Sequence, residues 1–256
     1  TVPPGNTGLK RLRVFNWNVA QGFNPVTNLN DYALQIELIA SVNPDIVTLQ
    51  EMSYSDADMM TLYINGLNAR TGRTWHGYYQ RANAETTPAT NNTGSAILTW
   101  LTGDTATQAL ISDNPAHPFE ALHIQVPVNT SVLDISTTHL YAWDPAVRAT
   151  LILSFQTWLS TQGSLRVVAG DFNAFPGETS TWNTNWKNEY TDAWLTATGW
   201  LQPTGDNGFT FDKRTATGNP ERIDYEWTKG MTVTEMFVVK TRRSDHHALV
   251  VDYQVP

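Results

Sequence analysis

An α/β fold is what this sequence predicts, and three observations predict it. Strand-like and helix-like stretches alternate through the N-terminal third, which favours packed layers of both kinds over an all-β arrangement. The C-terminal half is rich in short apolar, β-branched runs. No linker, repeat or low-complexity stretch divides the 256 residues, a length that one large domain can use to bury a sizeable core. Residues 1–10 read as a flexible leader and 11–256 as a single domain.

In chain order, Leu12 to Trp17 is a strand ending at Asn18. From Asp31 to Val42, Tyr32, Ile36 and Ile39 recur at helical spacing, with Asn30 as N-cap and Asn43-Pro44 as the stop. Asp45 to Gln50 is a second strand running into Glu51, and Asp56 to Ala69 a second helix. Gly77 to Gln80 and Ser95 to Trp100 are strands, and the polar, unpatterned stretch between them is an exposed loop on the rim of a cleft. Phe119 to Val126 and Val132 to Thr138 are neighbouring strands, the second ending at His139. Asp144-Pro145 starts a helix, a cap followed by proline at the first helical position, and Ala146 to Leu159 continues it. Leu165 to Ala169 is a buried strand that meets Gly170 and presents Asp171 and Asn173, whose spacing would project both from the end of a sheet in the same direction. Between Pro176-Gly177 and Trp200, Thr191 to Thr198 is the most helical part. Gly208 to Asp212, Ile223 to Thr228, Val233 to Val239 and Ala248 to Tyr253 complete the strands.

Composition excludes several functions. A formal net charge of −8 and a charged fraction of 16% argue against coating nucleic acid by bulk charge, though not against a local basic groove. Without cysteine there are neither disulfides nor thiolate metal sites. No apolar run reaches the roughly 20 residues that span a bilayer. The polar composition and the Thr1-Val2-Pro3-Pro4 start suggest a secreted, extracellular or periplasmic chain trimmed of a signal peptide, or a shortened N-terminus. Asn91-Asn92-Thr93 and Asn129-Thr130-Ser131 match the glycosylation sequon, a pattern short enough to arise by chance.

Four apolar runs each stop at a polar residue of a catalytic type: Asn18, Glu51, His139 and Asp171. Asp245-His246-His247 stands just before the last strand. Ligands gather beyond strand ends, so these positions are expected to converge. Each has a bland alternative. Gly170-Asp171-Phe172-Asn173 could be an ordinary strand-ending turn, Asn18 and Glu51 could simply face water, His139 could be structural, and Asp224 could pair with Arg222. If they converge, Glu51, Asp171, Asp224 and Asp245 crowd one pocket, and like charges would raise one another's pKa unless a cation intervenes. Oxygen ligands favour Mg²⁺, with Mn²⁺ or Ca²⁺ as alternatives. Histidines add proton transfer near neutral pH, and Asp224 beside His246 would orient the ring. Metal, amides and imidazoles together suit phosphoryl transfer to water.

Phe15-Asn16-Trp17-Asn18, Leu49-Gln50-Glu51, Thr138-His139-Leu140, Gly170-Asp171-Phe172-Asn173, Arg222-Ile223-Asp224-Tyr225 and Ser244-Asp245-His246 resemble, in order, the motifs of the endonuclease/exonuclease/phosphatase superfamily. Deoxyribonuclease I, abasic-site endonucleases, neutral sphingomyelinases and inositol-polyphosphate phosphatases belong to it. The resemblance covers Leu12 to Tyr253. It implies a four-layer sandwich of two packed mixed β-sheets flanked by helices. It also implies roles: Glu51 as metal ligand with Asn18 and Asp245 close by, and Asp171 and Asn173 positioning water and phosphate. His246, held by Asp224, would be base or charge stabiliser, and His139 general acid or phosphate contact.

Two departures accompany it. The glutamate that partners the His139-like histidine in deoxyribonuclease I has no counterpart in Asn92 to Ile97, so His139 is expected to be less basic. The basic, cysteine-containing motif of inositol phosphatases is missing around Arg222 to Trp227. The leading expectation is a monomeric, divalent-metal-dependent phosphodiesterase cutting DNA or RNA. A sphingomyelinase-type phosphodiesterase acting on a lipid head group is the alternative, with Trp182, Trp186 and Tyr190 as its suggestive cluster. A non-catalytic binding protein on the same fold is the third. Arg242 and Arg243 could meet flanking phosphates or be solvated loop charge, and Lys213-Arg214 is a weaker candidate. Arg70, Arg73 and Arg81 around Trp75, Tyr78 and Tyr79 could stack bases or be core.

Overall fold

The computed structural model describes residues 6–53, 59–82, 93–112, 119–197, 199–200, 208–211 and 220–256. Most of the expected rim loop (83–92), the Asn91 sequon, Lys213-Arg214, the front of the leader and the start of the expected helix at Asp56 lie outside the described residues.

β1 (Arg11–Asn18) leads through a short turn to a hairpin of β2 (Phe23–Asn24) and β3 (Leu29–Asn30). α1 (Tyr32–Val42) is capped by Asp31 rather than by Asn30. The Asp31 carboxylate does not close the cap, because Asn24 and Arg243 already occupy it. Asn43 ends α1 at φ 53°, a left-handed conformation that asparagine tolerates. β4 (Ile46–Ser53), α2 (Met59–Thr71), β5 (His76–Arg81) and β6 (Thr93–Thr99) come next.

β7 (Thr105–Ser112) was not expected; it is an edge strand with one neighbour, which explains its weak apolar pattern. β8 (Phe119–Val128) and β9 (Ser131–His139) form a hairpin, and α3 (Pro145–Leu159) starts as predicted, the Asp144 carboxylate accepting from the Ala146 N–H. The amide nitrogen of Asn129, in the hairpin turn, donates to the Leu9 carbonyl at 2.8 Å, so this sequon is tied into the fold.

After β10 (Arg166–Asp171) comes α4 (Thr184–Glu189), and the expected 191–198 helix shortens to β11 (Thr191–Asp192) followed by α5 (Ala193–Thr196). Asn183 and Asp192 set the two helix starts, each accepting from a backbone N–H as an N-cap. β12 (Gly199–Trp200), β13 (Asp224–Lys229), β14 (Thr232–Val239) and β15 (Ala248–Gln254) complete the chain. The expected 208–212 strand reduces, among the described residues, to bridges from Phe211 to Glu221 and His246.

The strands form a seven-stranded sheet, β12-β14-β15-β1-β4-β6-β5, and a six-stranded sheet, β11-β13-β10-β9-β8-β7. Both are mixed, with β1/β4 and β9/β10 parallel among mostly antiparallel pairs. Period-two alternation assigns the layers. Leu12, Val14, Ile135, Val167, Leu249 and Val251 pack between the sheets. Phe15, Trp17, Val47 and Leu49 face α1 and α2 on one outer side, and Val168, Tyr225 and Trp227 face α3 and α4 on the other. The result is helix, sheet, sheet, helix.

One polar residue in the central layer is poorly compensated. Glu226 is fully buried; the Tyr253 hydroxyl donates to its Oε2 at 2.9 Å, and its Oε1 has no partner. Burial raises its pKa well above the ordinary carboxylate value, outweighing the Tyr253 bond. A carboxyl raised in the folded state supports folding fully below its unfolded pKa, and that support is lost as pH rises through the folded one. Glu226→Gln is therefore expected to remove part of the decline in stability between weakly acidic and alkaline pH. Urea melts of both proteins across that range check it; parallel curves would refute it.

Candidate active site

The strand ends converge through register. Asp171 lies beside His139 in the parallel β9/β10 pair and opposite Asp224 in the antiparallel β10/β13 pair, so three chemically active residues form one row. All three fall on the inter-sheet face. Gly170 lets the row close up: a Cβ there would stand 2.2 Å from the Thr138 carbonyl oxygen. On the facing sheet, Asn18 shares the inter-sheet side of β1 with Leu12 and Val14. Below it, Asn16 donates to the Gly170 carbonyl (3.3 Å), while the Gln50 amide donates to Asn16 (2.9 Å) and to Thr137 (2.9 Å). This buried polar stitch holds the two sheets at a fixed separation under the site.

Glu51 arrives differently. Strict alternation would send it to the opposite face from Gln50. A register shift between Leu49 and Met52, with Glu51 at φ 54°, turns it towards Asn18. The Asn18 amide donates to Glu51 Oε1 and to Asp171 Oδ2, both at 3.0 Å, so one carboxamide bridges carboxylates from the two sheets.

Asn173 also departs from the strand-alternation expectation. The strand stops at Asp171, and Asn173 lies in a turn at φ 50°. Asp171 Oδ1 accepts the Asn173 backbone N–H at 2.9 Å, and the Asn173 amide reaches His139 Nε2 at 3.0 Å and the Leu140 carbonyl at 2.9 Å. Two rings flank the remaining Asp171 oxygen, His139 Nε2 at 3.5 Å and His246 Nε2 at 3.6 Å. His246 Nδ1 is 2.8 Å from Asp224 Oδ2, and the Thr210 hydroxyl accepts the Asp224 N–H. Arg222 does not compete for Asp224, since it pairs with Asp192 through two hydrogen bonds of 3.1 and 2.8 Å.

The electrostatics result from burial and crowding. Burial, then the Asp224 charge, raises the Asp171 pKa despite both histidines and Asn18. Burial opposes charge on His246, but Asp224 and Asp171 prevail and lift its pKa to about 10. Burial likewise opposes charge on His139, and the fields of Asp171, Glu51 and Glu120 overcome it, raising its pKa. The expectation of a weakly basic His139 is thereby overturned. Glu120, on β8, is the carboxylate that sequence reasoning missed; Ser95, inside the very stretch that lacks an acid, donates to it at 2.8 Å. A lone acid at the start of a buried apolar strand was its signal.

Among the described residues, the acid and histidine groups whose ligand atoms lie within 4.8 Å of one another are Asp171, Asp224 and His246. Those three read better as a hydrogen-bonded acid–imidazole–acid chain than as a metal cage, because Nδ1 of His246 is spent on Asp224. A hard divalent cation fits instead beside Glu51, where carboxylates from two sheets approach one amide. The oxygen donors and the absence of thiolates agree with such an ion. Asp245 is half-buried, and its Oδ1 lies 3.3 Å from the Ser244 hydroxyl. It adjoins the site through that serine, whose hydroxyl donates to the Asn18 carbonyl.

The outlying candidates separate. Arg243 is paired with Asp31 at 2.9 Å, whereas Arg242 is exposed. Arg73 lies over the Trp100 ring at 4.2 Å and Trp75 is core, so those two are structural, while Tyr78, Tyr79 and Arg81 are half-buried. Trp182, Trp186 and Tyr190 are no more than 2% exposed and pack under α3, not on a membrane-facing loop. No helix among the described residues is long and apolar enough to cross a membrane.

Comparison with known proteins agrees with this arrangement. The sequence pattern of the endonuclease/exonuclease/phosphatase family matches residues 15–246. The fold is similar to that of an endonuclease/exonuclease/phosphatase family protein from Leptotrichia buccalis, with a TM-score of 0.78 and 17% identity over 95% of this chain and 100% of that one. A protein of the same description from Beutenbergia cavernae gives 0.75 and 19%, over 96% of this chain and 72% of that one. TDP2 from Caenorhabditis elegans gives 0.69 and 17%, over 100% of this chain and 77% of that one. An uncharacterized protein of Acanthamoeba polyphaga mimivirus is 29% identical over 97 residues, which are 33% of this chain and 14% of that protein's length.

Proposed function

The chain belongs to the endonuclease/exonuclease/phosphatase family, whose members are hydrolases of phosphoester bonds, and on that premise we propose that it is a divalent-metal-dependent phosphodiesterase acting on nucleic acid. The observation that carries the proposal is the row of His139, Asp171 and Asp224 facing Asn18 and Glu51, with His246 wedged between two carboxylates. Glu51, with Asn18 and Asp245 beside it, would hold the cation, which neutralises phosphate charge when bound.

The remaining chemistry belongs to the chain itself. A water oxygen forms the new bond to phosphorus, its proton passing to Asp171, whose raised pKa makes it a competent acceptor. The bond from phosphorus to the leaving oxygen breaks, and a protonated histidine returns a proton to that oxygen. Asp224 keeps His246 charged and fixed in orientation, while Asn173 holds His139 and offers its amide to the phosphate. The lipid alternative has lost its supporting feature, since its aromatic cluster is core.

The test is a substrate panel of duplex DNA, single-stranded DNA, RNA and sphingomyelin with Mg²⁺, with and without EDTA. Cleavage of a nucleic acid that stops with EDTA and returns with excess Mg²⁺ is expected. Hydrolysis of sphingomyelin alone would overturn the nucleic-acid assignment.

A further inference from the structure

Between β14 and β15 the chain leaves the sheet over residues 240–247, and this excursion carries Ser244, Asp245 and His246. Sheet pairing stops at Val239 and Ala248, so hydrogen bonds from other elements set where those three residues stand. Two of the bonds come from β1 and its end: the Ser244 hydroxyl donates to the Asn18 carbonyl at 2.7 Å, and Trp17 Nε1 donates to the His246 carbonyl at 3.0 Å. A second hold comes from α1, and the proposed reaction has not used it.

Gln35 of α1 is fully buried, beside the core residue Ile36. Its amide nitrogen donates at 2.5 Å to the Arg243 carbonyl and at 3.1 Å to the Val19 carbonyl, while the Tyr63 hydroxyl of α2 donates to its Oε1. Two carbonyls on one side and a hydroxyl on the other leave the amide a single orientation. The carbonyls flank the site, since Val19 follows Asn18 and Arg243 precedes Ser244-Asp245-His246. One helical turn earlier, the Asp31 carboxylate takes the other end of the same residue, accepting from Arg243 Nη1 at 2.9 Å. Asp31 and Gln35 thus grip Arg243 by its guanidinium and by its carbonyl. Asp31 leaves its own helix uncapped to do so, although a closed cap would stabilise α1. An apolar side chain at position 35 would pack without a polar group to satisfy, so the buried amide serves the loop rather than the core.

Resting on the phosphodiesterase reading above, we propose that Gln35 and Asp31 are positioning residues for the reaction, a clamp on Arg243 that sets where Asp245 and His246 stand. Neither touches substrate. The clamp acts through the short backbone from Arg243 to His246, which is stiffened where the Ser244 hydroxyl accepts the His246 N–H at 3.1 Å. Asp245 is the candidate cation ligand on that segment, and the His246 ring stands 3.6 Å from Asp171. A displacement of about 1 Å in a reacting group can cost about a hundredfold in rate, so a loosened anchor is felt in kcat before it is felt in substrate affinity.

Gln35→Met keeps the length and the packing and removes every polar contact of the side chain. It is expected to lower kcat on an oligonucleotide about thirtyfold with KM little changed, and to weaken Mn²⁺ binding, measured by calorimetry without substrate, about tenfold. The ring-nitrogen resonances of His246 should move while those of remote His123 stay. Asp31→Asn, at a half-buried position, is expected to change kcat and Mn²⁺ affinity in the same direction by about threefold. Ile39→Ala, one turn further along α1, opens a cavity in the same helix; it should lower the melting temperature and leave kcat and Mn²⁺ affinity at parent values. A Gln35→Met protein that melts lower yet keeps the parent's kcat, Mn²⁺ affinity and His246 resonances would overturn the clamp. Where Gln35→Met does not fold, parent values in Asp31→Asn would overturn it. An equal loss of kcat in Ile39→Ala would do so too, because any softening of α1 would then suffice. Absence of phosphodiester hydrolysis by the parent protein would strike the functional reading instead, and Mn²⁺ binding and the His246 resonances would still judge the clamp.

Discussion

Asp171→Asn is expected to lower kcat for phosphodiester hydrolysis by about a thousandfold, the scale of removing a positioned proton acceptor, while the protein stays folded. Asp171 is 1% exposed and is held from three directions: by the Asn18 amide, by the Asn173 backbone N–H, and by the rings of His139 and His246. An asparagine keeps the shape and can still accept the Asn173 N–H, but it can no longer take a proton from water. It also relieves the repulsion between Asp171 and Asp224 that contributes to the raised Asp171 pKa. Its Nδ2 would meet the Asn18 amide donor in place of an acceptor, offsetting that relief, so the variant should melt a few degrees below the parent yet remain folded. Steady-state kinetics on an oligonucleotide and a thermal melt separate the two effects. Near-parental turnover by a well-folded variant would remove Asp171 from the reaction.

The second large effect concerns a pair rather than a residue. His246→Gln is expected to cost about a thousandfold in kcat and Asp224→Asn about a hundredfold. The double variant should be no slower than His246→Gln alone. Asp224 has no route to the phosphate except through the ring it orients, so once the ring is gone its charge has nothing to hold. Losses that multiply to about a hundred-thousandfold would mean independent action, and the 2.8 Å contact would then be structural. In Asp224→Asn the pH profile should also shift to lower pH, because Asp224 is the strongest of the carboxylates keeping His246 charged against burial.

Much of the architecture was legible from residue order. Continuous apolar, β-branched and aromatic runs marked β1, β9 and β13 because each is covered on both faces, and Asp144-Pro145 marked α3 by a purely local rule. Where expectations departed, a longer-range contact decided. β7 was hidden because an edge strand needs little apolar surface. Asp31 displaced Asn30 as the cap of α1 while its carboxylate was taken by Asn24 and Arg243. Asp192 shortened the expected 191–198 helix to α5 because its side chain caps that helix and also holds Arg222, with Thr191 and Asp192 in β11.

The candidate site divides in the same way. The sequence by itself determined which residue types stand at the strand ends, since a polar side chain after an apolar run is a local pattern that needs no partner to be seen. Only the tertiary structure decided how they meet: a bulge with φ 54° re-aims Glu51, a turn rather than a strand presents Asn173, and Glu120 enters beside His139 from a neighbouring strand. Backbone torsions at single residues and the charges that surround a ring depend on packing between segments far apart in the chain. No reading along one dimension contains that packing.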